Sequence, residues 1–331
     1  MSVALTILPL MPTRKPDTKN ASQGKLELAV SPRKPPQPFL RWAGGKRRLT
    51  NLLIQTFPED FDPKVNRFFE PFIGGGALMF ATGNKNSDLF IPGKNIFIND
   101  SNPDLVIVYK VIKRNLPELL QALKTLSKDL SKEQFERVRS SSPKTDIGRA
   151  ARFIYLNKTC FNGLWRVNSS GQFNVPWGKL AKPLIFDPDN LEACRTRLIG
   201  AKISCGSFLS AVKDATKGDL VYFDPPYLPL SPSASFSQYA KDNFSIKDHE
   251  KLAEVISDLT KRGVFVILSN SDTPETRRIF GKFLTLRQIS MNRSISAAAH
   301  ARKPVNEVLG TNFPVKRGSN IAELKVISRS K

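Results

Sequence analysis

The stretch Leu220-Val-Tyr-Phe-Asp-Pro-Pro-Tyr227 decides the fold class of this chain. A continuous apolar run of four residues is followed at once by a carboxylate, two prolines and a tyrosine. Such a run is typical of a strand buried on both faces, as in parallel sheets. Three other short runs, residues 67–70, 96–100 and 264–270, have the same form and also end in polar residues. We therefore predict an α/β fold with an open parallel sheet, helices on both faces and a ligand site at the carboxyl ends of the strands.

Helical patterns fill the spaces between these runs. Apolar residues recur with a period near 3.6 from Leu105 to Leu123. Ser245-Ile-Lys-Asp248 is a capping-box pattern, and it precedes a second periodic segment that is closed by Gly263. Both patterns favour helices that cover the sheet.

The chain divides into three predicted parts. Residues 1–38 are rich in proline, lysine and serine, and we predict a disordered leader. Residues 39–104 and 201–331 form the main domain. Residues 105–200 form an inserted subdomain, mostly helical, with a hairpin near residues 162–178.

The charge balance indicates a polyanionic partner. The chain has 51 Lys and Arg against 29 Asp and Glu, a net charge of +22, of which residues 39–331 carry +18. Three scattered cysteines suggest neither a disulfide framework nor a zinc site, and they fit a reducing cytosol. Two histidines exclude a histidine-rich metal centre, so we expect no metal. We find no signal peptide and no run near the ~20 apolar residues of a membrane span.

Asp224-Pro-Pro-Tyr227 is the strongest chemical signal. Two prolines fix φ and remove two backbone donors, so the carbonyls of this turn are predicted to be unopposed acceptors beside a carboxylate and an aromatic ring. That combination suits an amino group on a flat base. The alternative is a structural strand-to-turn corner, because Pro-Pro is common in loops.

Two glycine-rich segments suggest a pocket for a second ligand. Glu70-Pro-Phe-Ile-Gly-Gly-Gly76 leads into an apolar helix start, and glycines let the backbone approach a ligand closely. Its spacing is not that of a dinucleotide fingerprint. Ala43-Gly-Gly-Lys46 is not a phosphate-binding P-loop, because Leu40 stands at the first glycine position and Arg47 replaces Ser or Thr.

These segments together resemble one family. Asp224-Pro-Pro-Tyr227 resembles the catalytic motif of amino-methyltransferases acting on adenine N6 or cytosine N4. Glu70-Pro-Phe-x-Gly-x-Gly76 resembles the methionine-pocket motif of that class, and Phe39-Leu-Arg-Trp-Ala-Gly-Gly-Lys46 resembles the opening motif of Dam-type (D12 class) DNA adenine methyltransferases. The likeness runs in family order through nearly all of residues 39–313, including residues 100–105, 269–273, 293–296 and 302–303.

The resemblance implies a Rossmann-like S-adenosylmethionine-dependent methyltransferase sheet with an inserted DNA-recognition subdomain. The implied catalytic residues are Asp224, Pro225, Pro226 and Tyr227, with direct in-line transfer to a flipped-out adenine stacked on Tyr227. The implied ligands of the S-adenosyl-L-methionine cofactor are Trp42, Lys46, Glu70, Phe72, Gly74, Gly76, Asp100, Ser207, Phe208 and Asp224. Asp100 would accept hydrogen bonds from the cofactor ribose; the alternative is a helix cap.

The segment from Cys160 to Gly178 combines aromatic rings with Asn and Arg, the residue types that contact bases. It resembles the target-recognition hairpin of Dam enzymes that methylate GATC. The resemblance implies that Arg166 contacts a guanine and that Leu164 and Pro176 contact the thymine side. Asn162 would support the target strand, and Arg41 would lie at the DNA edge. Phe161, where most of the family has Tyr, would take the place of the extruded base as stacking partner within the duplex. Trp165 is not typical of the family. The alternative is a hairpin stabilised by its own aromatics.

Two further alternatives remain at this point. A cytosine-N4 methyltransferase would share the chemistry, although that subgroup more often has Ser before Pro-Pro. A catalytically inactive DNA-binding module would have kept only the fold. The expected enzyme is a monomer that acts on double-stranded DNA in the cytoplasm, associated with the nucleoid.

Overall fold

A computed structural model describes residues 35–42, 44–83, 90–228, 244–291 and 305–329. The predicted leader lies outside the described residues as far as residue 34. The family-like segments at residues 293–296 and 302–303 also lie outside them.

The described strands form one eight-stranded sheet. The strands are β1 (Phe68–Glu70), β2 (Ile96–Asp100), β3 (Lys202–Cys205), β4 (Leu220–Phe223), β5 (Phe265–Ser271), β6 (Thr285–Met291), β7 (Val305–Thr311) and β8 (Val326–Ser328). Their order is β3-β2-β1-β4-β5-β7-β6-β8. The first five strands of this order are parallel, and β7, β6 and β8 join antiparallel. All four strands predicted from apolar runs are confirmed to within a residue or two.

The direction of the strand order changes between β1 and β4. From β1 the chain adds β2 and β3 on one side, and then returns to add β4 and β5 on the other. In open α/β sheets, ligands bind in the crevice outside the carboxyl ends of the strands at such a switch point. The glycine-rich turn after β1 and the Asp-Pro-Pro-Tyr turn after β4 therefore flank the expected crevice.

Ten α-helices lie in the described part of the chain. They are α1 (Thr50–Gln55), α2 (Ala77–Ala81), α3 (Pro103–Arg114), α4 (Leu116–Leu126), α5 (Lys132–Ser140), α6 (Asp146–Thr159), α7 (Pro188–Leu198), α8 (Phe208–Val212), α9 (Ile246–Lys261) and α10 (Pro274–Phe280). The apolar period from Leu105 to Leu123 is divided at Asn115, whose φ of −133° and ψ of 40° are not helical. Pro117 lies in the first turn of α4, where a missing N–H is tolerated.

Both faces of the sheet are covered, as predicted. On β4, Leu220 and Tyr222 pack into one cluster of buried residues, and Val221 and Phe223 pack into a second. Alternate residues of a strand point to opposite faces, so the two clusters lie on the two sides of the sheet. Helices α3 to α7 contribute to the first cluster, and α8 to α10 to the second.

The predicted capping box is confirmed at the start of α9. The Asp248 amide donates to Ser245 Oγ at 3.2 Å, and the Ser245 amide donates to Asp248 Oδ2 at 2.7 Å. The pattern satisfies two of the amides that a helix start leaves unpaired.

The predicted hairpin is present beyond α6. Its two limbs pair through isolated antiparallel bridges, Cys160 with Trp177 and Val167 with Phe173, instead of long strands. Helices α3 and α7 pack into the same buried cluster as the sheet. Whether residues 105–200 form a separate subdomain stays a prediction.

Candidate active site

Asp224 follows the last residue of β4 and lies at the mouth of the crevice. Its side chain is 20% exposed, and its Oδ1 lies 3.2 Å from Nζ of Lys46. Burial raises the pKa of Asp224 to about 6, while the neighbouring Lys46 ammonium lowers it. With a pKa of about 6, the carboxylate is ionised at neutral pH and takes up a proton in mildly acidic solution.

Lys46 joins several parts of the site through one buried ammonium group. The side chain is 4% exposed, and Nζ donates to the Gly44 carbonyl at 2.8 Å. The same atom lies 4.3 Å above the ring centroid of Tyr227 and 3.8 Å from Oε2 of Glu307. The predicted cofactor-pocket lysine thus lies directly beside the predicted catalytic residues.

Glu307 on β7 is a member of this group that the sequence did not indicate. Its Oε2 accepts a hydrogen bond from the Tyr227 hydroxyl at 3.0 Å, and its side chain is 19% exposed. The pKa of Tyr227 is raised well above its usual value, mainly by burial and then by the charges of Asp224 and Glu307. The tyrosine is therefore a neutral hydroxyl donor.

The end of β5 anchors the Asp-Pro-Pro-Tyr turn. The Leu228 amide donates to Asn270 Oδ1 at 3.4 Å, and Ser271 Oγ donates to the Leu228 carbonyl at 2.8 Å. Pro225 is buried and Pro226 is exposed. These bonds hold the residue after Tyr227 on both of its backbone groups, so the turn is fixed to the adjacent strand.

The glycines after β1 are required by close packing. Gly74 and Gly76 have φ values of +46° and +70°, which favour glycine. A Cβ on Gly74 would lie 2.7 Å from the Trp42 indole, and one on Gly76 would lie 2.7 Å from Oη of Tyr109. Trp42 therefore lies against the glycine turn, and its predicted contact with the cofactor stays a prediction.

Asp100 ties the glycine turn to the start of α3. Its Oδ2 accepts from the Gly74 amide at 3.1 Å and its Oδ1 from the Asn102 amide at 3.0 Å. The side chain that caps α3 is Asn102, not Asp100. Burial raises the pKa of Asp100, while its backbone hydrogen bonds lower it. Each carboxylate oxygen keeps a second lone pair for a ligand hydroxyl.

Glu70 lies beneath the glycine turn. It is 3% exposed, and its Oε2 accepts from the Met79 amide in α2 at 3.1 Å. Burial, followed by the charge of Asp224, raises the pKa of Glu70 well above its usual value. The structure shows it supporting the turn and α2, and its predicted contact with a cofactor stays a prediction.

Three phenylalanines form a cluster beside the crevice. Phe72 and Phe208 stack with ring centroids 5.5 Å apart, and Phe244 lies 5.5 Å and 5.6 Å from them. Ser207 caps α8 by accepting from the Leu209 amide at 3.1 Å, which places Phe208 at the helix start. Phe244 was not predicted, because it lies far along the chain from both partners.

The hairpin presents apolar and cationic groups on its surface. Phe161 and Leu164 are 46% and 40% exposed. Arg166 is exposed, and its Nε donates to Asn174 Oδ1 on the opposite limb at 2.8 Å. Asn162 and Pro176 are also exposed, and Asn162 has a φ of +54°. All five residues with predicted hairpin contacts to DNA are therefore accessible.

Asn157 in α6 joins Arg41 to the base of the hairpin. It is fully buried, and it accepts from the Arg41 amide at 2.9 Å. Its Nδ2 donates to the carbonyls of Arg41 at 2.7 Å and Gly163 at 2.9 Å. Asn157 was not predicted from the sequence, and its hydrogen bonds bring the exposed Arg41 side chain beside the hairpin.

Aromatic packing also stabilises the hairpin, as the alternative interpretation proposed. Trp165 stacks on Phe153 with centroids 3.7 Å apart, and Phe173 lies 4.8 Å from Trp165. Phe153 in turn stacks on Trp42 at 6.2 Å. The hairpin therefore has inner rings that pack and outer side chains that face solvent.

Metal-ligand clusters and membrane-spanning helices are both absent from the described ranges. In them, no group of three or more His, Cys, Asp or Glu is placed to hold a metal ion. No helix of the described chain combines the length and the apolar character needed to cross a membrane.

The five parallel strands, the switch point between β1 and β4 and the Asp-Pro-Pro-Tyr turn are the features that the resemblance to amino-methyltransferases leads us to expect. Residues 42–294 match the D12 class N6 adenine-specific DNA methyltransferase family, and the chain belongs to that family. The adenine-specific DNA methyltransferase activity predicted from the sequence is thereby confirmed at the level of the family.

Curated relatives agree with this assignment. The chain is 39% identical over 285 residues to Type II methyltransferase M1.LlaDCHI of Lactococcus lactis subsp. cremoris, covering 84% of this chain and 95% of the relative. It is 35% identical over 294 residues to Type II methyltransferase M.MjaIII of Methanocaldococcus jannaschii, covering 84% and 99%. It is 32% identical over 280 residues to the DNA adenine methylase of Escherichia coli strain K12, covering 83% and 95%.

Proposed function

We propose that this protein transfers the methyl group of S-adenosyl-L-methionine to adenine N6 within GATC in double-stranded DNA. The observation that carries the proposal is the partly exposed Asp224 carboxylate, held beside the Tyr227 ring by Lys46 at the mouth of the switch-point crevice. The enzyme acts as a monomer in the cytoplasm, on nucleoid DNA.

The residues around the crevice fit the cofactor. When bound, S-adenosylmethionine supplies an activated methyl group on a sulfonium. Gly74 and Gly76 bring backbone close to the crevice without side chains, and Asp100 offers carboxylate lone pairs for ribose hydroxyls. Phe72 and Phe208 offer aromatic faces for the cofactor adenine. Trp42 and Lys46 close the side of the pocket next to Asp224.

Asp224 and the Pro225 carbonyl act on the target amine. The adenine amine is a poor nucleophile because its lone pair is delocalised into the ring. Two acceptors that bind its N–H groups favour a pyramidal nitrogen and free the lone pair for direct attack, so no covalent enzyme intermediate is needed. Asp224 must be ionised for this role. Only the carboxylate form is negatively charged, and only in that form can both of its oxygens accept hydrogen bonds from the amine.

Tyr227 and the hairpin act on the position of the base. Extruding a base from the duplex costs a few kcal/mol, and stacking on the Tyr227 ring offsets part of that cost. The exposed Phe161 side chain is suited to enter the gap left in the helix.

The GATC preference rests on the geometry of Arg166. Asn174 accepts from Nε through its Oδ1 at 2.8 Å and from Nη2 through its backbone carbonyl at 3.4 Å. These bonds orient the guanidinium and leave Nη1 and the second hydrogen of Nη2 as donors for the two acceptors of guanine. Leu164 and Pro176 supply the apolar contacts that a thymine methyl group requires.

Labelled S-adenosylmethionine and a set of duplexes that differ only in the GATC tetranucleotide test the proposal. We expect label in N6-methyladenine from the GATC duplex, and loss of transfer in an Asp224→Ala variant that melts at the parental temperature. Equal labelling of all duplexes would reject the site preference. Parental rates in the Asp224→Ala variant would reject the mechanism.

A further inference from the structure

We propose that Glu307 is a positioning residue, which holds the Tyr227 hydroxyl away from Asp224 and so leaves that carboxylate free for the target amine. This inference rests on the proposed function, because it assigns Asp224 as the acceptor of the amine. Glu307 is not part of any motif by which the sequence resembles the family.

Glu307 is presented by a rigid part of the sheet. It lies within β7, with its Cα opposite Ser271 of β5 and Ile289 of β6, so hydrogen-bonded strands flank it on both sides. Strand residues hold site groups more firmly than loop residues do. Tyr227, in contrast, follows a turn, and its hydroxyl donates to Glu307 Oε2 at 3.0 Å. The glutamate therefore fixes the far end of the tyrosine ring.

The hydroxyl of Tyr227 has one proton and two carboxylates near it. The proton is donated to Glu307 at 3.0 Å, and Asp224 is close by, because the Lys46 ammonium that lies 4.3 Å above the Tyr227 ring is 3.2 Å from Asp224 Oδ1. A buried hydroxyl without Glu307 would turn to the other acceptor, because leaving it unpaired is costly. Asp224 would then be occupied by tyrosine at the position where the amine must bind.

Lys46 restricts the ring from a second direction. Its ammonium lies 4.3 Å above one face of Tyr227 and within 4.0 Å of both carboxylates, at 3.2 Å from Asp224 and 3.8 Å from Glu307. One face of the ring is thus taken by the cation, and a stacked base must use the opposite face. Glu307 and Lys46 together fix both the rotation of the ring and the face that it offers.

Four variants separate this role from a structural one: Glu307→Ala, Glu307→Gln, Tyr227→Phe and the double variant Tyr227→Phe with Glu307→Ala. We expect Glu307→Ala to lower kcat about 10-fold or more, the effect of one hydrogen bond to a charged group. Glu307→Gln keeps an acceptor for the hydroxyl, so it should stay within about 3-fold of the parent. Tyr227→Phe keeps the ring on which the base stacks and removes only the hydroxyl, so its kcat is the reference against which the double variant is compared.

The double variant gives the decisive result. Because it lacks the hydroxyl that would occupy Asp224, it should be several-fold faster than Glu307→Ala alone. Fluorescence of a duplex with 2-aminopurine at the target position reports extrusion of the base independently of transfer, and we expect it to be kept in all four variants. Asn306→Ala changes the neighbouring, exposed residue of the same strand and serves as the control.

Two outcomes would overturn the inference. One is a double variant as slow as, or slower than, Glu307→Ala; the other is a Glu307→Ala variant with parental kcat. If Glu307→Ala does not fold, Glu307→Gln takes its place: a loss of 10-fold or more that is not relieved by adding Tyr227→Phe to Glu307→Gln rejects the role. Failure of the proposed function is distinct, because the parent itself would then methylate none of the duplexes.

Discussion

At the scale of single residues, the site depends on a carboxylate under two opposing influences. Burial disfavours the charged form of Asp224, and the ammonium of Lys46 at 3.2 Å favours it. The outcome is a pKa of about 6, just below neutrality. An acceptor in this range is ionised in the cell, yet it is less strongly solvated than an exposed carboxylate.

The catalytic efficiency should depend on pH through the ionisation of Asp224. Transfer requires ionised Asp224, so kcat/KM should rise with pH through about 6 and then level off. Lys46 lowers the pKa of Asp224, so removing the cation in Lys46→Met should raise that pKa and move the rise to higher pH. Arg47→Met, which removes an exposed neighbouring charge, serves as the control. A Lys46→Met profile that rises at the parental pH would contradict this account.

Residues that depend on distant partners were the ones that sequence reasoning missed. Asp224 and Tyr227 were predicted, because a strand end and its turn are local features. Glu307 meets Tyr227 across 80 residues of chain, and Asn157 meets Arg41 across 116. A single acid within a strand, or one asparagine in a helix, has no local pattern that indicates its partner.

At the scale of elements, the same distinction applies. Strands β1, β2, β4 and β5 were predicted because they are continuous apolar runs buried on both faces. The antiparallel end of the sheet was not predicted, since β6 includes Arg287 and Gln288 and β7 includes Glu307. Arg287 donates to Thr311 and Gln288 to Asp272, while Glu307 accepts from Tyr227. Because these polar residues have partners within the fold, the hydrophobic pattern alone does not identify the two strands.

The second prediction concerns the glycine turn. Gly74→Ala and Gly171→Ala both place a side chain at positive φ, which costs about 1–2 kcal/mol. At Gly171 nothing lies within 4 Å of the new Cβ, whereas at Gly74 the Trp42 indole lies 2.7 Å away. Gly74→Ala should therefore lose about 1–3 kcal/mol more in chemical denaturation and should weaken cofactor binding in calorimetry. Equal losses in the two variants would show that the packing against Trp42 is unimportant.

The third prediction concerns the hairpin. Arg166→Ala should lose about 1–3 kcal/mol of discrimination at one base pair of the target. Asn174→Ala removes the hydrogen bond that orients the guanidinium, and it should lose part of the same discrimination, about 0.5–1.5 kcal/mol. Competition between duplexes with single-base changes measures both. If Arg166→Ala weakens binding equally on every duplex, the arginine contacts phosphate and not a base.

At the scale of the whole molecule, charge and architecture act together. The sheet places the transfer site at its carboxyl edge, and the net charge of +22 supplies an attraction for DNA that does not depend on sequence. Residues 1–34 contain six basic and two acidic residues, a net +4, so residues 35–331 keep +18. The attraction should therefore belong mainly to the part of the chain that carries the sheet, the helices and the hairpin.

The last prediction follows from this distribution. Binding to a duplex without the target releases counterions, so log Kd should rise linearly with log salt, with a slope of about 5 or more if six phosphates are contacted. Deleting residues 1–34 removes 4 of 22 net charges and should leave most of that slope. Fluorescence anisotropy from 50 to 200 mM salt measures both proteins under the same conditions. A slope that falls to near zero in the shortened protein would place the DNA attraction in the first 34 residues instead, and the basic surface of residues 35–331 would need another explanation.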